Sequence, residues 1–183
     1  MMSTTLHITT AEELLHAPEL GRCELVRGDL MMMSPAGFEH GRIVSRLCYR
    51  IERFVEQHGL GVVTGAETGF HIARNPDTVR APDVGFVRME RLPETTVSGF
   101  FDGPPDLAVE VLSPDDRPRA VAAKVEDWLT AGCLTVWVVD PAKRVVTVQR
   151  RGADPRVFDA STELDGEDAL PGFRVAVAEI FSR

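Results

Sequence analysis

Two acidic residues of this chain lie in segments that have the sequence character of buried strands. Asp83 follows a proline in Arg80-Ala81-Pro82-Asp83-Val84, and Glu110 interrupts the apolar run from Leu107 to Leu112. An ionised carboxylate that leaves water is costly unless it is paired or binds a metal. The two positions therefore indicate a functional site.

Lys124 is the third candidate. Lys124 and Lys143 are the only lysines among 20 basic residues, so the chain uses arginine almost everywhere else. Lysine offers a compact charge whose pKa can move, which arginine does not. Lys124 is therefore a candidate catalytic cation, and the structural alternative is an ion pair with Asp127 on the same helix.

Strand periodicity groups each acid with small residues. Because side chains alternate across a strand, Asp83 shares a face with Ala81 and Gly85, and Glu110 shares one with Ala108. If the strands are neighbours, the two acids converge over a space that these small residues leave clear. Two close carboxylates repel unless a proton or a cation lies between them, and oxygen ligands favour a hard cation such as Mg²⁺. We therefore expect Mg²⁺, or Mn²⁺ in its place.

Length and composition limit the class of protein. A chain of 183 residues with 44% hydrophobic content suits one globular core. We expect a single domain over residues 1–183, of which 1–20 form a helical extension. No apolar run approaches the roughly 18 residues of a membrane span, and the amino terminus lacks signal-peptide character. The expected location is the cytoplasm, and the three scattered cysteines predict neither a disulfide framework nor a zinc site.

The formal charge of −8 argues against a protein that coats nucleic acid non-specifically. Net charge is not local charge, however, because several arginines recur at helical spacing. They form either a solvated helix face, which we favour, or a track for phosphates. These residues are Arg42, Arg46, Arg50 and Arg53.

The order of predicted elements indicates an α/β protein. Helices are predicted from Thr10 to about His16, over 38–58, and from about Asp116 to Ala131. A hairpin around Gly28 and an antiparallel pair turning at 75–77 precede the buried strand that contains Glu110. The predicted architecture is a mixed central sheet flanked by helices, and further strands are expected over 134–139 and 144–149.

Several short segments occur along the chain in a distinctive order and spacing. They are Cys23-Glu24-Leu25-Val26-Arg27-Gly28-Asp29-Leu30, Met33-Ser34-Pro35 with His40, Ala81-Pro82-Asp83-Val84, Pro105-Asp106-Leu107-Ala108-Val109-Glu110-Val111-Leu112-Ser113-Pro114 with Lys124, and Trp137-Val138-Val139-Asp140-Pro141. In this order they resemble the Uma-two family of restriction-endonuclease-like proteins, and the likeness runs from about Glu24 to Phe181.

The resemblance implies a restriction-endonuclease-like core of the PD-(D/E)XK superfamily and a metal-dependent endonuclease that hydrolyses phosphodiester bonds, with DNA as the expected substrate. By position, it implies that Asp83, Glu110 and the backbone carbonyl of Val111 hold the metal. The superfamily pattern expects a lysine where Leu112 stands, and in the Uma-two family that lysine is on the next helix, at Lys124. The implied catalytic residues are therefore Asp83, Glu110 and Lys124.

Other expectations concern the cleft and the partners. Glu24 and His40 match recurrent family positions, and Asp106 shares the strand face of Glu110, so all three are candidate cleft residues; structural roles for Glu24 and His40 remain equally open. A homodimer is expected through apolar residues at Phe100-Phe101 and Met31 to Met33. Two other functions remain open, an inactive scaffold that binds nucleic acid or protein and a protein acting on a small phosphorylated substrate.

Overall fold

The computed structural model describes residues 7–182, so the first six residues of the predicted 1–20 extension lie outside the described part. The first helix begins after Thr10, which forms the predicted capping box with Glu13. The long helix has the predicted bounds and ends at Gly59, whose φ of 61° suits a left-handed cap. The helices are α1 (Ala11–Leu15), α2 (Phe38–His58), α3 (Pro118–Ala131) and α4 (Val177–Phe181), with 3₁₀ turns at Pro18–Leu20 and Met89–Arg91.

None of the helices between residues 7 and 182 is both long and apolar enough to cross a membrane. The remaining regular elements are strands. They are β1 (Cys23–Val26), β2 (Asp29–Met32), β3 (Gly61–Thr64), β4 (Phe70–Ala73), β5 (Thr78–Arg80), β6 (Val84–Arg88), β7 (Phe101–Asp102), β8 (Leu107–Val111), β9 (Thr135–Asp140), β10 (Val145–Gln149), β11 (Arg156–Phe158), β12 (Glu163–Asp165) and β13 (Arg174–Ala176).

The largest sheet is mixed and has six strands in the order β11-β10-β9-β8-β6-β3. Its pairs are antiparallel except β8 and β9, which run parallel. Parallel neighbours need a crossover, and α3 supplies it. A five-stranded sheet, β2-β1-β5-β4-β7, and the pair β12-β13 complete the strands that the structure describes.

The segment pair predicted over 61–73 and 79–87 is antiparallel, but it is divided between the two larger sheets. Its outer half, β3 with β6, belongs to the six-stranded sheet, and its inner half, β4 with β5, belongs to the five-stranded one. The division falls at a turn where Glu67 has a φ of 71° and at Pro82, which has no N–H to donate. Asp83 is thereby placed where the two sheets meet.

Helices cover both faces of the six-stranded sheet, as the sequence predicted. The apolar stripe of α2 packs against the β6 and β8 side chains of one face, where Phe86, Leu107 and Val109 are buried. On the other face, Val125 and Trp128 of α3 pack with Ala108. Each fully buried large apolar side chain stabilises the fold by about 1.5–3 kcal/mol, so both helices are firmly held.

The arginine row of α2 contacts the C-terminal helix. Arg46 donates to the carbonyl of Glu179 at 3.0 Å, and Arg50 pairs with the Glu179 carboxylate at 2.7 Å. Arg42 donates to the carbonyl of Ser182 at 2.5 Å. Carbonyls at the end of a helix carry partial negative charge and lack intrahelical partners. These three arginines therefore hold α4 in place, and Arg53 is exposed.

Candidate active site

The register of β6 on β8 brings the two predicted acids together. Gly85 lies opposite Ala108, so the same register places Asp83 opposite Glu110. The N–H of Asp83 donates to the carbonyl of Val109 at 3.0 Å, and Oδ2 of Asp83 accepts the N–H of Val111 at 2.8 Å. Asp83 thus extends the ladder of β6 and binds the end of β8 with its own carboxylate.

Glu110 is buried and both of its carboxylate oxygens are occupied. Oε2 accepts a hydrogen bond from Nζ of Lys124 at 2.9 Å, and Oε1 accepts one from Nε1 of Trp128 at 2.8 Å. The same Lys124 ammonium lies 3.0 Å from Oε1 of Glu24 and donates to the carbonyl of Ala81 at 2.9 Å. The predicted lysine therefore pairs with two acids of the sheets and not with Asp127.

Asp127 and Glu24 belong to a second set of buried charges behind Lys124. Arg80 donates to Oε2 of Glu24 at 2.7 Å and lies 2.5 Å from Oδ2 of Asp127. Arg27 pairs with the other oxygen of Asp127 at 2.7 Å. Because the arginines satisfy Asp127, the Lys124 ammonium remains available to the acids. Glu24 also accepts the N–H of Ala81 at 2.9 Å, so it links both sets.

Asp83 contacts two cationic side chains from other elements. Nε2 of His40 lies 3.2 Å from Oδ2 of Asp83, and the Arg22 guanidinium lies 3.7 Å from Oδ1. Burial alone would raise the pKa of Asp83, but the hydrogen bonds from His40 and Val111 lower it overall. The hydrogen bond to Asp83 raises the pKa of His40, so the pair favours a carboxylate facing an imidazolium.

The environment of Glu110 has the opposite effect on its carboxyl group. Burial, together with the charges of Asp83 and Glu24, raises the pKa of Glu110 to about 7 against the opposing charge of Lys124. Burial also works against the ammonium of Lys124, but the two carboxylates beside it outweigh this and raise its pKa. Lys124 is therefore a persistent cation, and Asp83 and Glu110 differ in how readily they ionise.

Open space lies on the His40 side of the acids. A cavity of about 390 Å³ is lined by Arg22, Met33, Pro35, Ala36, His40, Gly41, Val44, Ala66 and Glu67. A smaller one of about 190 Å³ shares Arg22, Met33 and Glu67 and reaches Arg80 and Ala81. Both cavities therefore open beside the Arg22 guanidinium, which is in contact with Asp83.

The space predicted at the small residues is filled. A Cβ on Gly85 would lie 2.7 Å from Oγ1 of Thr64 and 3.0 Å from Cζ of Phe70, and Ala108 packs in the same buried cluster as Phe70 and Trp128. That part of the expectation is wrong, because an aromatic ring from the five-stranded sheet occupies the volume. The small residues admit Phe70 and Trp128 and leave no room for a ligand there.

Asp106 lies apart from the other candidates. It precedes β8 at the end opposite Glu110, about 13 Å away at 3.3 Å per residue. Its Oδ2 accepts the N–H of Arg88 at 2.9 Å and pairs with Arg91 at 3.0 Å. Alternation placed Asp106 and Glu110 on one face but carried no information about which end of the strand borders the cleft. The expected cleft role of Asp106 is therefore corrected to a structural one.

The apolar residues expected at a subunit contact divide into two groups. Phe101 packs edge-on against Phe70 at 5.7 Å between ring centroids, and the ring of Phe100 covers Gly69. Both rings are partly buried against the hydrophobic clusters of the chain's own interior. Met31 and Met32 are 52% and 60% exposed on the edge strand β2, so only this part of the proposed contact remains available.

Sequence reasoning missed two residues that touch the acids. Trp128 follows Lys124 by one helical turn on the same face of α3, and that spacing is a signal that could have been used. Arg22 immediately precedes β1, and nothing in its sequence context indicates a contact with Asp83. Its contact arises from the packing of the hairpin against the bend at Asp83.

The donor atoms at the acids suit a hard divalent cation. Asp83 and Glu110 occupy opposite positions in the register of β6 on β8, and the charge of Asp83 contributes to the raised pKa of Glu110. Because the N–H of Val111 points at Asp83, the carbonyl of Val111 projects on the same side of β8. No group of three or more His, Cys, Asp or Glu side chains within residues 7–182 is arranged to hold a metal. Mg²⁺ commonly binds through one or two carboxylates together with waters and substrate phosphate, so the set of Asp83, Glu110 and the Val111 carbonyl fits it.

A mixed sheet flanked by helices, with two acids on neighbouring strands and a lysine beside them, defines a restriction-endonuclease-like protein. Residues 11–178 match the model of the family described as "Uma2: Putative restriction endonuclease", and the chain belongs to this family.

One similar solved structure supports the same architecture. It is described as the crystal structure of "a putative nuclease belonging to DUF820" from Anabaena variabilis. The two chains superpose with a TM-score of 0.83 at 22% sequence identity, over 95% of this chain and 97% of the other. This likeness establishes the fold alone. No match was found among curated proteins.

Proposed function

We propose that the chain is a metal-dependent nuclease that hydrolyses phosphodiester bonds, with DNA as its substrate. The single observation that carries the proposal is the arrangement at the end of β8. Asp83 and Glu110 lie at opposite positions in the register of β6 on β8, and the ammonium of Lys124 lies 2.9 Å from Glu110. Membership of a restriction-endonuclease family supports the same activity.

Asp83, Glu110 and the Val111 carbonyl would hold Mg²⁺ or Mn²⁺. When bound, such an ion polarises a phosphate oxygen and lowers the pKa of a water. Trp128 fixes the orientation of Glu110 through Oε1. Because the pKa of Lys124 is raised, its ammonium stays protonated and serves as a hydrogen-bond donor that stabilises charge on the phosphate, and not as the base.

The bond between Asp83 and His40 keeps Asp83 ionised. An ionised carboxylate is the form that ligates a cation, so His40 supports metal binding through a residue it contacts. Glu24 has a different part in the site. Its oxygens have three partners, Arg80, Lys124 and the N–H of Ala81, whereas each oxygen of Glu110 accepts a single hydrogen bond and keeps a lone pair for a cation; Glu24 is therefore proposed to position the lysine and not to ligate the metal.

Two observations favour a second candidate, an inactive scaffold that binds nucleic acid or protein. Lys124 already neutralises Glu110, and no three-membered group of metal-binding side chains is found between residues 7 and 182. A scaffold would bind DNA without cleaving it. A cleavage assay therefore distinguishes the two candidate functions.

Plasmid nicking with Mg²⁺ or Mn²⁺, compared with EDTA, tests the proposal. Replacing Glu110 by Gln should reduce the rate by about a hundredfold or more, because a charge-stabilising group is lost. The matched control is Glu126→Gln on α3, whose exposed carboxylate accepts a hydrogen bond from Thr130 at 3.1 Å. Glu126→Gln should cleave like the wild type.

Metal binding can be measured separately by the thermal shift that Mn²⁺ produces, which Asp83→Asn should abolish. Equal nicking by Glu110→Gln and Glu126→Gln would contradict the hydrolase. Binding of DNA with no cleavage under either metal would favour the scaffold.

A further inference from the structure

We propose that the 390 Å³ cavity at the start of α2 is a phosphate-binding subsite built from Arg22, His40 and the first turn of that helix, with Glu67 as a carboxylate that competes for Arg22. The inference rests on the proposed function, because it assigns the place where a substrate phosphate would bind beside Asp83. The cavity adjoins Asp83 through both Arg22 and His40.

Arg22 has hydrogen-bonding capacity to spare. Its guanidinium lies 3.7 Å from Oδ1 of Asp83 and 3.7 Å from Oε1 of Glu67, and both distances are too long for direct hydrogen bonds. The side chain is 22% exposed and lines both cavities. A planar guanidinium with unused N–H groups at a cavity wall matches the paired oxygens of a phosphate.

The first turn of α2 adds a second cationic element. The helix is 21 residues long and begins after Gly37, which has no side chain to cap it. The N–H groups at the start of a helix lack intrahelical partners, and the helix dipole favours an anion there. His40 and Gly41 from this turn, together with Ala36 just before the helix, line the cavity, so part of its wall is made by the end of the helix that attracts negative charge.

His40 supplies an independent observation at the same place. Its side chain is only 10% exposed, and Nε2 is engaged by Asp83. The other ring nitrogen, Nδ1, is buried and has no hydrogen-bond partner among residues 7–182. A buried polar atom left unpaired is destabilising. An oxyanion bound at the first turn of α2 would provide the missing partner.

Glu67 stands where a phosphate would meet Arg22. Its carboxylate is 64% exposed and belongs to the turn between Gly65 and Gly69, where its φ of 71° is left-handed. A phosphate and this carboxylate would repel each other. Because Glu67 has a long, weak contact with Arg22 and is largely solvated, it can leave at little cost. Arg22 and Glu67 must therefore affect phosphate binding in opposite directions.

The test measures binding without metal, so that cleavage plays no part. Anisotropy of a fluorescein-labelled single-stranded oligonucleotide in EDTA gives the affinity, and inorganic phosphate serves as the competitor. Arg22→Gln should weaken binding about tenfold and Glu67→Gln should tighten it about threefold, as expected for one charge-assisted contact and one repulsive neighbour. The control is Arg74→Gln, an exposed arginine that pairs with Asp102.

Equal affinities for Arg22→Gln and Arg74→Gln, or weaker binding by Glu67→Gln, would overturn the subsite. If Arg22→Gln does not fold, the sign of the Glu67→Gln effect decides the matter alone. Oligonucleotides with a 5′-phosphate or a 5′-hydroxyl identify whether a terminal or an internal phosphate binds. If only the nuclease proposal is wrong, the protein will not cleave DNA, but Arg22→Gln and Glu67→Gln will still change the affinity for the oligonucleotide in opposite directions. If only the subsite is wrong, the protein will cleave DNA, but the two variants will not have these opposite effects on affinity.

Discussion

The ammonium of Lys124 lies 2.9 Å from Oε2 of Glu110, although the lysine belongs to α3 and the acid to β8. The superfamily pattern places this cation two residues after the acid, where the chain has Leu112. The partly buried Leu112 packs beside the cluster of α3. Lys124 of α3 therefore places beside Glu110 the positive charge that β8 itself does not supply.

Trp128→Phe should distinguish the hydrogen bond that orients Glu110 from the packing of the aromatic ring at position 128. The variant removes the N–H that binds Oε1 but keeps an aromatic ring against Phe70. We expect cleavage to fall about tenfold and the free energy of unfolding to fall by about 1–3 kcal/mol, since a buried carboxylate oxygen loses its donor. Plasmid nicking and urea denaturation measure the two effects.

The matched control for Trp128→Phe is Trp137→Phe. Trp137 is equally buried, but its Nε1 has no hydrogen-bond partner in the part of the chain that the structure describes. Its replacement should leave cleavage close to the wild-type rate. Similar losses of cleavage in both variants would show that packing, and not the bond to Glu110, sets the rate.

Arg80→Met should destabilise the protein strongly. It leaves Glu24 and Asp127 without their shared partner in a buried environment. Breaking a buried ion pair from one side costs about 3–5 kcal/mol. Arg174→Met is the comparison, because the pair of Arg174 with Glu163 is exposed and screened by solvent, so its loss should change stability far less. Urea denaturation of both variants gives the difference, and equal losses would contradict the buried network.

The bond between His40 and Asp83 should make stability depend on pH. The folded-state pKa of His40 is raised above 6.5, so its contribution is fully present below pH 6.5 and is lost as the pH rises through the folded value. The difference in unfolding free energy between the wild type and His40→Gln should therefore be larger at pH 6 than at pH 9, as urea titrations would show. When Asp83 is replaced by Asn, the effect of His40→Gln on the unfolding free energy should no longer depend on pH. If it still depended on pH, a partner of His40 other than Asp83 would be responsible.

Gly85→Ala should test how tightly Phe70 fills the sheet face. The added methyl would lie 2.7 Å from Thr64 and 3.0 Å from Phe70, and overpacking of this kind costs about 1–3 kcal/mol. Gly41→Ala has nothing within 4 Å and removes a helical glycine, so it should stabilise by up to about 1 kcal/mol. Thermal melts should show shifts of opposite sign, and a neutral Gly85→Ala would mean that the ring can move aside.

The sequence predicted those features that depend on local spacing. The three-and-four spacing of apolar residues located α2 with its observed bounds, and strand alternation placed Asp83 and Glu110 on facing positions. The start of α3 at Pro118 lies two residues beyond the predicted one, which is the usual uncertainty of a helix end.

Features that depend on contacts between distant segments were not predictable. Phe70 fills the face of Gly85 from another sheet, and Arg80 satisfies Asp127 across 47 residues. Alternation could not distinguish the end of β8 that carries Asp106 from the end that carries Glu110. Each of these outcomes is decided by which elements pack together, and periodicity along a single segment does not contain that information.

The backbone of Ala81 links the two sets of charges. Its N–H donates to Glu24 and its carbonyl accepts from Lys124, and Asp83 follows two residues later. A displacement of residues 81–83 would therefore move Asp83 and, at the same time, break the hydrogen bonds of Ala81 with Lys124 and Glu24. The alignment of all three groups therefore depends on one short stretch of backbone.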